Sequence, residues 1–357
     1  MRLSDHPDLS CYHSGMRPEQ LVSASEFEKK FPFQESSASQ IQFLLEAATR
    51  APSTHNCQPW RFRIEDNRLF VYRDTRINLP QSDPQHRYAY ISIGFLLYHI
   101  MELATWLSMA PLLSLVLKDD GVAEVVFESA SPNKRIPPKV SAIFTRRNRR
   151  GVFKAEPIPH EVLDSAITAD GNILVSPEIK VITDPEKIRC IADATATVMR
   201  RVYANASFRK EMSNWITPSG TSRKDGIPGY SLNISTIASW ILPTLIHYVN
   251  IGNVLAKINY KSISSAPTLF GYGSSDDTSG WVSVGFAASR AALTITAKGL
   301  DYSVFVASIE YEDTRQIAGE TFELHQPLQF LFAAGSLPGK SEWMTPRMPV
   351  EQKLITP

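Results

Sequence analysis

ISIGF at residues 91–95 returns as VSVGF at residues 282–286, and this echo decides how the chain is read. It sets Ser92 against Ser283, Gly94 against Gly285 and Phe95 against Phe286. Each copy follows a polar loop, opens a long helical run and leads into a core strand. Five matching positions carry little weight alone, but in the same context twice they suggest two related α+β halves. Such halves can pack about a pseudo-twofold axis as the subunits of a dimer do.

Around the first copy, Tyr88 to Leu117 is nearly continuous apolar sequence, long enough for a membrane span of about 20 residues. Ser92, Gly94, His99, Glu102, Thr105 and Ser108 recur through it and Pro111 cuts it, so a buried helix followed by a core strand is expected. Upstream, Gln40 to Arg50 has helical spacing at Ile41, Leu44, Leu45 and Ala48 behind a Ser-Ala-Ser cap. Arg61–Glu65 and Arg68–Asp74 alternate like two strands joined at Asp66-Asn67, and LLSLVLKDDGVAEVVFE supplies two more. The second half repeats the theme: a helix from Ile158 to Ala169, a strand at 178–183, helix formers from Pro185 to Ile216, a strand in APTLFGYG, then a helix from the second copy to Gly299. The expected boundaries are an N-terminal extension at 1–37, halves at 38–140 and 141–350, and a tail at 351–357. An irregular, lid-like insertion falls at about 211–261. After its Gly, Pro and Ser punctuation comes STIASWILPTLIHYV, whose aromatic and aliphatic residues are expected to cover something, either as a core helix or over a ligand.

The bulk numbers narrow the function. With 357 residues, 43% hydrophobic and 20% charged, the chain is globular. A net charge of +1 exerts no global pull on nucleic acid or an anionic membrane. Cys11, Cys57 and Cys190 are too few and scattered for a disulfide framework or a zinc site, so no metal is expected. MRLSDHPDLSCYHSG has no apolar h-region, which points to the cytoplasm.

Two segments carry the chemistry. PSTHNCQPWRF, residues 52–62, interposes hydroxyls (Ser53, Thr54), amides (Asn56, Gln58) and a flat wall (Trp60) between a helix and a strand. Pro52 ends the helix. A heteroaromatic ring with several polar edges needs this mixture of donors and acceptors, whereas a plain capped turn explains Pro, Ser and Asn only. TRRNRRGVF, residues 145–153, places Arg146, Asn148 and Arg150 on one side of an extended segment and Arg147 and Arg149 on the other. Two guanidinium forks flanking an amide suit a phosphate or another planar anionic group. A solvated basic turn and a nucleic-acid patch are the alternatives, the latter disfavoured by the net charge.

APSTHNCQPWRF resembles the PS-x-x-N-x-QPW segment of the nitroreductase family of FMN flavoproteins, and Arg146-x-Asn148-x-Arg150 resembles its R-x-S-x-R element with Asn replacing Ser or Thr. WVSVGFAASRAALTITAKGLDYSVF, Arg315, HQPLQFLFAAGSLP and TPRMP follow in the family's order. DPQHR at 83–87, Glu211 with Trp215, and DGIP at 225–228 match the Acg-like branch, whose members carry both halves in one chain. The resemblance covers roughly residues 38 to 350. It implies an α+β nitroreductase-like fold, duplicated so that one chain mimics the family homodimer. The polar turn occurs only in the first half, and the arginine element and Arg347 only in the second, so one FMN per chain between the halves is implied. Arg146, Asn148 and Arg347 would hold the phosphate and Arg150 the N1–O2 edge. Pro52, Ser53, Thr54 and Asn56 would contact the ring, with Gln58 and Trp60 supporting the turn, and Phe305 and Val306 would face the ring from the strand after Gly299. His55 is a turn histidine, with proton donation to the ring as the alternative. No protein side chain is expected to be catalytic, since flavin N5 carries the hydride. The implied activity is FMN-dependent oxidoreduction with NAD(P)H as candidate co-substrate and a small-molecule substrate. The alternative is a flavin-holding protein whose lid blocks turnover. No nucleic-acid or membrane partner is expected, and the chain is read as a monomeric pseudo-dimer or a weak homodimer.

Overall fold

A computed structural model of the chain describes residues 23–129, 135–168, 176–339 and 343–355. Cys11, most of the N-terminal extension and the last two residues of the tail lie outside them. After a short helix α1 (Ala24–Lys30), α2 (Ser37–Ala48) buries Ile41, Leu44 and Leu45, as its spacing predicts. Its cap differs from expectation: Ser36 accepts the Ser39 N–H, while Ser37 to Ser39 form the first turn, because a cap must sit outside the helix to reach its orphan donors.

Strands β1 (Trp60–Glu65) and β2 (Arg68–Arg73) form a hairpin turned at Asp66 and Asn67, with Glu65 opposite Arg68. Asp66 has φ 51°, and the Asn67 amide donates to Phe127 O at 2.8 Å. α3 (Arg87–Trp106) follows, then β3 (Pro111–Leu115) and β4 (Gly121–Phe127), completing an antiparallel sheet in the order β1-β2-β4-β3. β3 is therefore an edge strand with Leu112 outward, not the core strand that the apolar run implied. Apolar content predicts burial poorly where a strand has a neighbour on one side only. No helix among the described residues is long and apolar enough to cross a membrane.

Beyond β4 come α4 (Pro138–Thr145), α5 (His160–Ile167) and a second antiparallel sheet in the order β5-β8-β10-β9. Its strands are β5 (Glu178–Ile182), β8 (Thr268–Gly273), β9 (Asp301–Val304) and β10 (Leu328–Gly335). α10 (Thr278–Ala297) is capped by Asp277 and ends before Gly299, whose φ of 75° supplies the left-handed stop. α11 (Glu312–Thr321) covers the strands. α3 and α10, which carry the two pentapeptides, are buried almost throughout and pack against each other in one hydrophobic core. Beyond β10 the chain returns to β1 and the turn before it. Ile355 donates to Phe62 O at 2.7 Å, and Lys353 Nζ reaches Gln58 O at 2.8 Å and Asp74 at 3.3 Å.

Between α6 (Pro185–Ala204) and β8 the chain builds α7 (Ala206–Trp215), a two-residue parallel pair β6 (Ile216–Thr217) and β7 (Ile227–Pro228), α8 (Thr236–Tyr248) and α9 (Gly252–Ser264). The expectation that α8's large residues cover something is corrected here. Ser239 and Ile246 face inward, while Ile237, Trp240, Ile241, Leu245 and Tyr248 are exposed.

Candidate functional site

The turn between α2 and β1 is built from strained backbone. His55, Asn56 and Gln58 have φ of 51°, 55° and 53°, in the left-handed region that L-residues other than Asn seldom occupy. The strain persists because neighbours over-determine the turn. Ser53 Oγ accepts the Gln58 N–H at 3.0 Å. The Gln58 amide donates to Asn56 O at 3.2 Å and Lys224 O at 2.9 Å, and its Oε1 accepts from Met348 N at 2.8 Å. Asn56 donates to Pro346 O at 3.1 Å and accepts from Arg347 Nη1 at 2.9 Å. His55 Nε2 lies 3.1 Å from Ser82 Oγ, and burial pushes its pKa down to about 4. The imidazole is therefore neutral at physiological pH. The Cys57 thiol is buried and pushed up to about 12, chiefly by desolvation, so it is no nucleophile. Trp60 is wholly within the core and forms no wall of the turn. Pro52 and Thr54 are half-buried beside these groups.

Two arginines from the other end of the chain converge on this turn. Arg146, just past α4, donates to Tyr302 Oη at 2.7 Å and to Arg50 O at 2.6 Å. Arg347 donates to Thr49 O at 2.7 Å, Arg50 O at 3.0 Å and Ala51 O at 3.2 Å. Both thus satisfy orphan carbonyls at the C-terminus of α2, where a cation also meets the negative end of the helix dipole. That structural work does not use up the site's charge. Arg146 Nε is buried without a hydrogen-bond partner, and both of Arg146's acceptors are neutral. His99, buried with Nδ1 at 3.2 Å from Ala48 O, is held well below its ordinary pKa by burial and by Arg146, Arg347 and Arg50. Burial and the same neighbours, Arg146 and Arg50, depress Arg147 as well.

The rest of the arginine element alternates as its extended geometry requires. Asn148 accepts the Val304 N–H at 2.9 Å and is exposed. Arg150, also exposed, donates to Asn259 Oδ1 at 3.0 Å, its guanidinium 4.9 Å from the Phe305 ring centroid. Arg149 instead pairs with Asp301 at 2.9 Å and donates to Pro338 O and Gly339 O, while Arg147 donates to Trp343 O. Phe305 is buried and Val306 half-buried. The structure therefore joins Arg146, Arg347, Asn56, Gln58 and Ser53 through shared carbonyls and direct bonds. Asn148, Arg150, Phe305 and Val306 form an adjoining group along β9.

The insertion touches both groups: Lys224 O receives Gln58, Asn259 receives Arg150, and the Trp215 ring lies 6.3 Å from His55. Glu211 anchors it by accepting the backbone N–H groups of Gln81 and Ser82 at 2.8 and 2.9 Å.

Sequence reasoning missed several contributors. Arg50 was legible as a cation ending the helix just before the turn. Tyr302 and Asn259 had no local signal. Two carboxyls, the buried Asp83 and the half-buried Glu310, also lie beside Tyr88. Asp83 caps α3 through the N–H groups of Tyr88 and Ala89, and burial raises its pKa to about 6. Glu310, near Tyr88 and Arg87, is raised by burial to about 7. Among the described residues no cluster of His, Cys, Asp and Glu could hold a metal ion.

No family model matches the chain. It is 24% identical over 331 residues to a Mycobacterium tuberculosis protein named "Putative NAD(P)H nitroreductase Rv3131", spanning 90% of this chain and 92% of that one. A second M. tuberculosis protein, "Putative NAD(P)H nitroreductase acg", is 30% identical over 202 residues, covering 54% of this chain and 58% of the relative. Among solved structures, the FMN-dependent nitroreductase NfnB of Mycobacterium smegmatis in complex with NADPH shares 14% identity (TM-score 0.37) over 58% of this chain and 92% of that one. The FMN and NADPH-dependent NfnB of a Sphigopyxis strain shares 18% (TM-score 0.39) over 60% and 96%. Along most of its length the chain is thus similar to a protein named as a nitroreductase, in keeping with the order of its motifs.

Proposed function

We propose that the chain is an FMN-dependent oxidoreductase that binds one FMN between its two halves. The observation that carries this is the convergence of Arg146 and Arg347 on the strained turn at 52–58, where a buried Arg146 Nε lacks a partner. Such a concentration of cations against neutral carbonyls suits a phosphate. The adjoining mixture of amides, hydroxyls and an aromatic face suits a polar-edged ring. Arg146, Asn148 and Arg347 would hold the phosphate, and Arg150 the N1–O2 edge. Pro52, Ser53, Thr54 and Asn56 would meet the ring from the first half, and Phe305 and Val306 from the second. When bound, FMN supplies hydride and electron transfer between NAD(P)H or a small organic substrate and an acceptor.

The chain's own residues bind, orient and shield. Gln58 fixes the turn. His55 stays neutral and hydrogen-bonded to Ser82, so it supports the backbone rather than carrying charge. The names of the relatives support the assignment of NAD(P)H as electron donor. A second reading, a flavin-holding protein with little turnover, is favoured by one observation: the insertion bonds directly to both walls, at Gln58 and at Arg150. The boundaries of the halves are proposed at 38–140 and 141–350, with the insertion at about 211–261.

The test is spectroscopic. Purified protein should be yellow with one flavin per chain, and Arg150→Ala and Asn56→Ala should each weaken flavin retention. Two flavins per chain, or undiminished retention in both variants, would refute the single shared site. Bleaching by NADPH under anaerobic conditions supports the oxidoreductase, whereas bleaching by dithionite alone supports the holder.

A further inference from the structure

α8 is turned the unusual way round. It packs Ser239 and Ile246 against the molecule and leaves Ile237 77%, Trp240 60%, Ile241 58% and Tyr248 75% exposed, with Leu245 beside them. The spacing 237, 240, 241, 245, 248 puts these side chains on one helical face. A surface helix ordinarily presents polar residues outward, and a contiguous apolar face marks a contact. Along the chain the exposed apolar residues continue through Val249 to Val254 and Ile258 on α9.

The stretch that carries this face is poor in acidic residues. Between Asp225 and Asp276 the sequence has no acidic residue, while Lys257 and Lys261 are exposed. At the C-terminal end of α8 an open cleft is lined by Ala206, Ser207, Arg209, Lys210, His247 and Tyr248. The nearest carboxylate in sequence, Glu211, is engaged by the Gln81 and Ser82 N–H groups. Docking a second copy about a twofold axis would bring two basic rims together, which opposes that occupant.

The geometry points to an anionic phospholipid surface as the partner of α8. Ile237, Trp240, Ile241 and Leu245 enter the boundary between headgroups and acyl chains. Tyr248 sits at headgroup level, and a lipid phosphate meets Lys210 and His247 in the cleft. A helix lying in the plane of the bilayer is not a span, so the lack, among the described residues, of a helix long and apolar enough to cross a membrane is compatible with it. The inference stands independently of the flavin.

The test is co-sedimentation of the full chain with phosphatidylcholine vesicles, with and without about one-third phosphatidylglycerol. Wild type should pellet with the anionic vesicles, roughly tenfold less with neutral ones, and progressively less as salt rises. Trp240→Ser combined with Ile241→Ser should cut binding by roughly tenfold or more with an unchanged melting temperature, since both side chains are exposed. Tyr248→Ser and Lys210→Glu should each weaken it. Equal pelleting with neutral vesicles, no pelleting at all, or binding indifferent to salt would overturn the inference. So would a wild-type dimer that the double variant converts to monomer without any vesicle binding.

Discussion

Gly94 and Gly285 approach each other's helices reciprocally. A Cβ on Gly94 would lie 2.1 Å from Val282 O, and a Cβ on Gly285 would lie 1.9 Å from Ile91 O. Ile91 and Val282 are the equivalent first residues of the repeated pentapeptide, so position one of each copy meets position four of the other. That is the contact pattern of an isologous interface, made here within a single chain.

The first prediction concerns this crossing. Gly94→Ala or Gly285→Ala places a methyl group against a backbone oxygen that cannot rotate away, so each should destabilise by about 3 kcal/mol or more. Once one substitution has pushed α3 and α10 apart, the second meets more room, and the double variant should cost less than the sum. Urea unfolding of the three variants measures both effects, and full additivity would argue against a shared contact.

A second prediction follows from Glu310, whose carboxyl is raised from 4.5 to about 7 by burial. The folded state holds this proton more tightly than the unfolded chain. Its contribution is therefore fully present below pH 4.5 and is lost as pH rises through 7. Glu310→Gln removes the ionisation and keeps an acceptor for Tyr88. Relative to wild type, the variant should gain on the order of 2 kcal/mol between pH 4.5 and 8. A difference in melting temperature that stays flat across that range would contradict it.

His55 gives the opposite sign. Its folded pKa of about 4 lies below the ordinary 6.5, so the unfolded chain binds the proton and the turn loses stability as pH falls from 6.5 towards 4. Asn tolerates the left-handed φ of 51° at this position and does not titrate. His55→Asn should therefore lose less melting temperature than wild type between pH 7 and 4.5; an identical loss would show that His55 is not the titrating group.

Glu211 is the fourth case. Removing its carboxylate in Glu211→Ala deletes both bonds to the Gln81 and Ser82 N–H groups, at about 1–3 kcal/mol. Local opening of the insertion should then expose Arg223 and Lys224, and trypsin should cut there several-fold faster. Unchanged cleavage in the variant would mean that the anchor lies elsewhere, for example at the Tyr230 bond to Met344 O of 3.0 Å.

Much of this was written in the order of residues. The period of α2, the alternation of β1 and β2, the paired pentapeptides and the stop at Gly299 are local signals, because helix, hairpin and cap geometries are set by a few neighbouring residues. The side selection at 145–150 was legible for the same reason, and the structure duly sends Arg147 and Arg149 to Trp343 and Asp301.

Tertiary packing decided the rest. Whether an apolar strand is central or marginal depends on its neighbours, so β3 became an edge although its sequence reads as core. The outward face of α8 was equally hidden, since a helix packed through Ser239 and Ile246 has the same apolar composition as one packed through Trp240 and Ile241. Arg146, Arg347 and Asn56 are separated by long stretches of chain, and only tertiary packing brings two cations onto one set of carbonyls. Sequence by itself determined the elements and the kinds of polar group available. The fold determined which of them share a place, because that depends on contacts between residues distant along the chain.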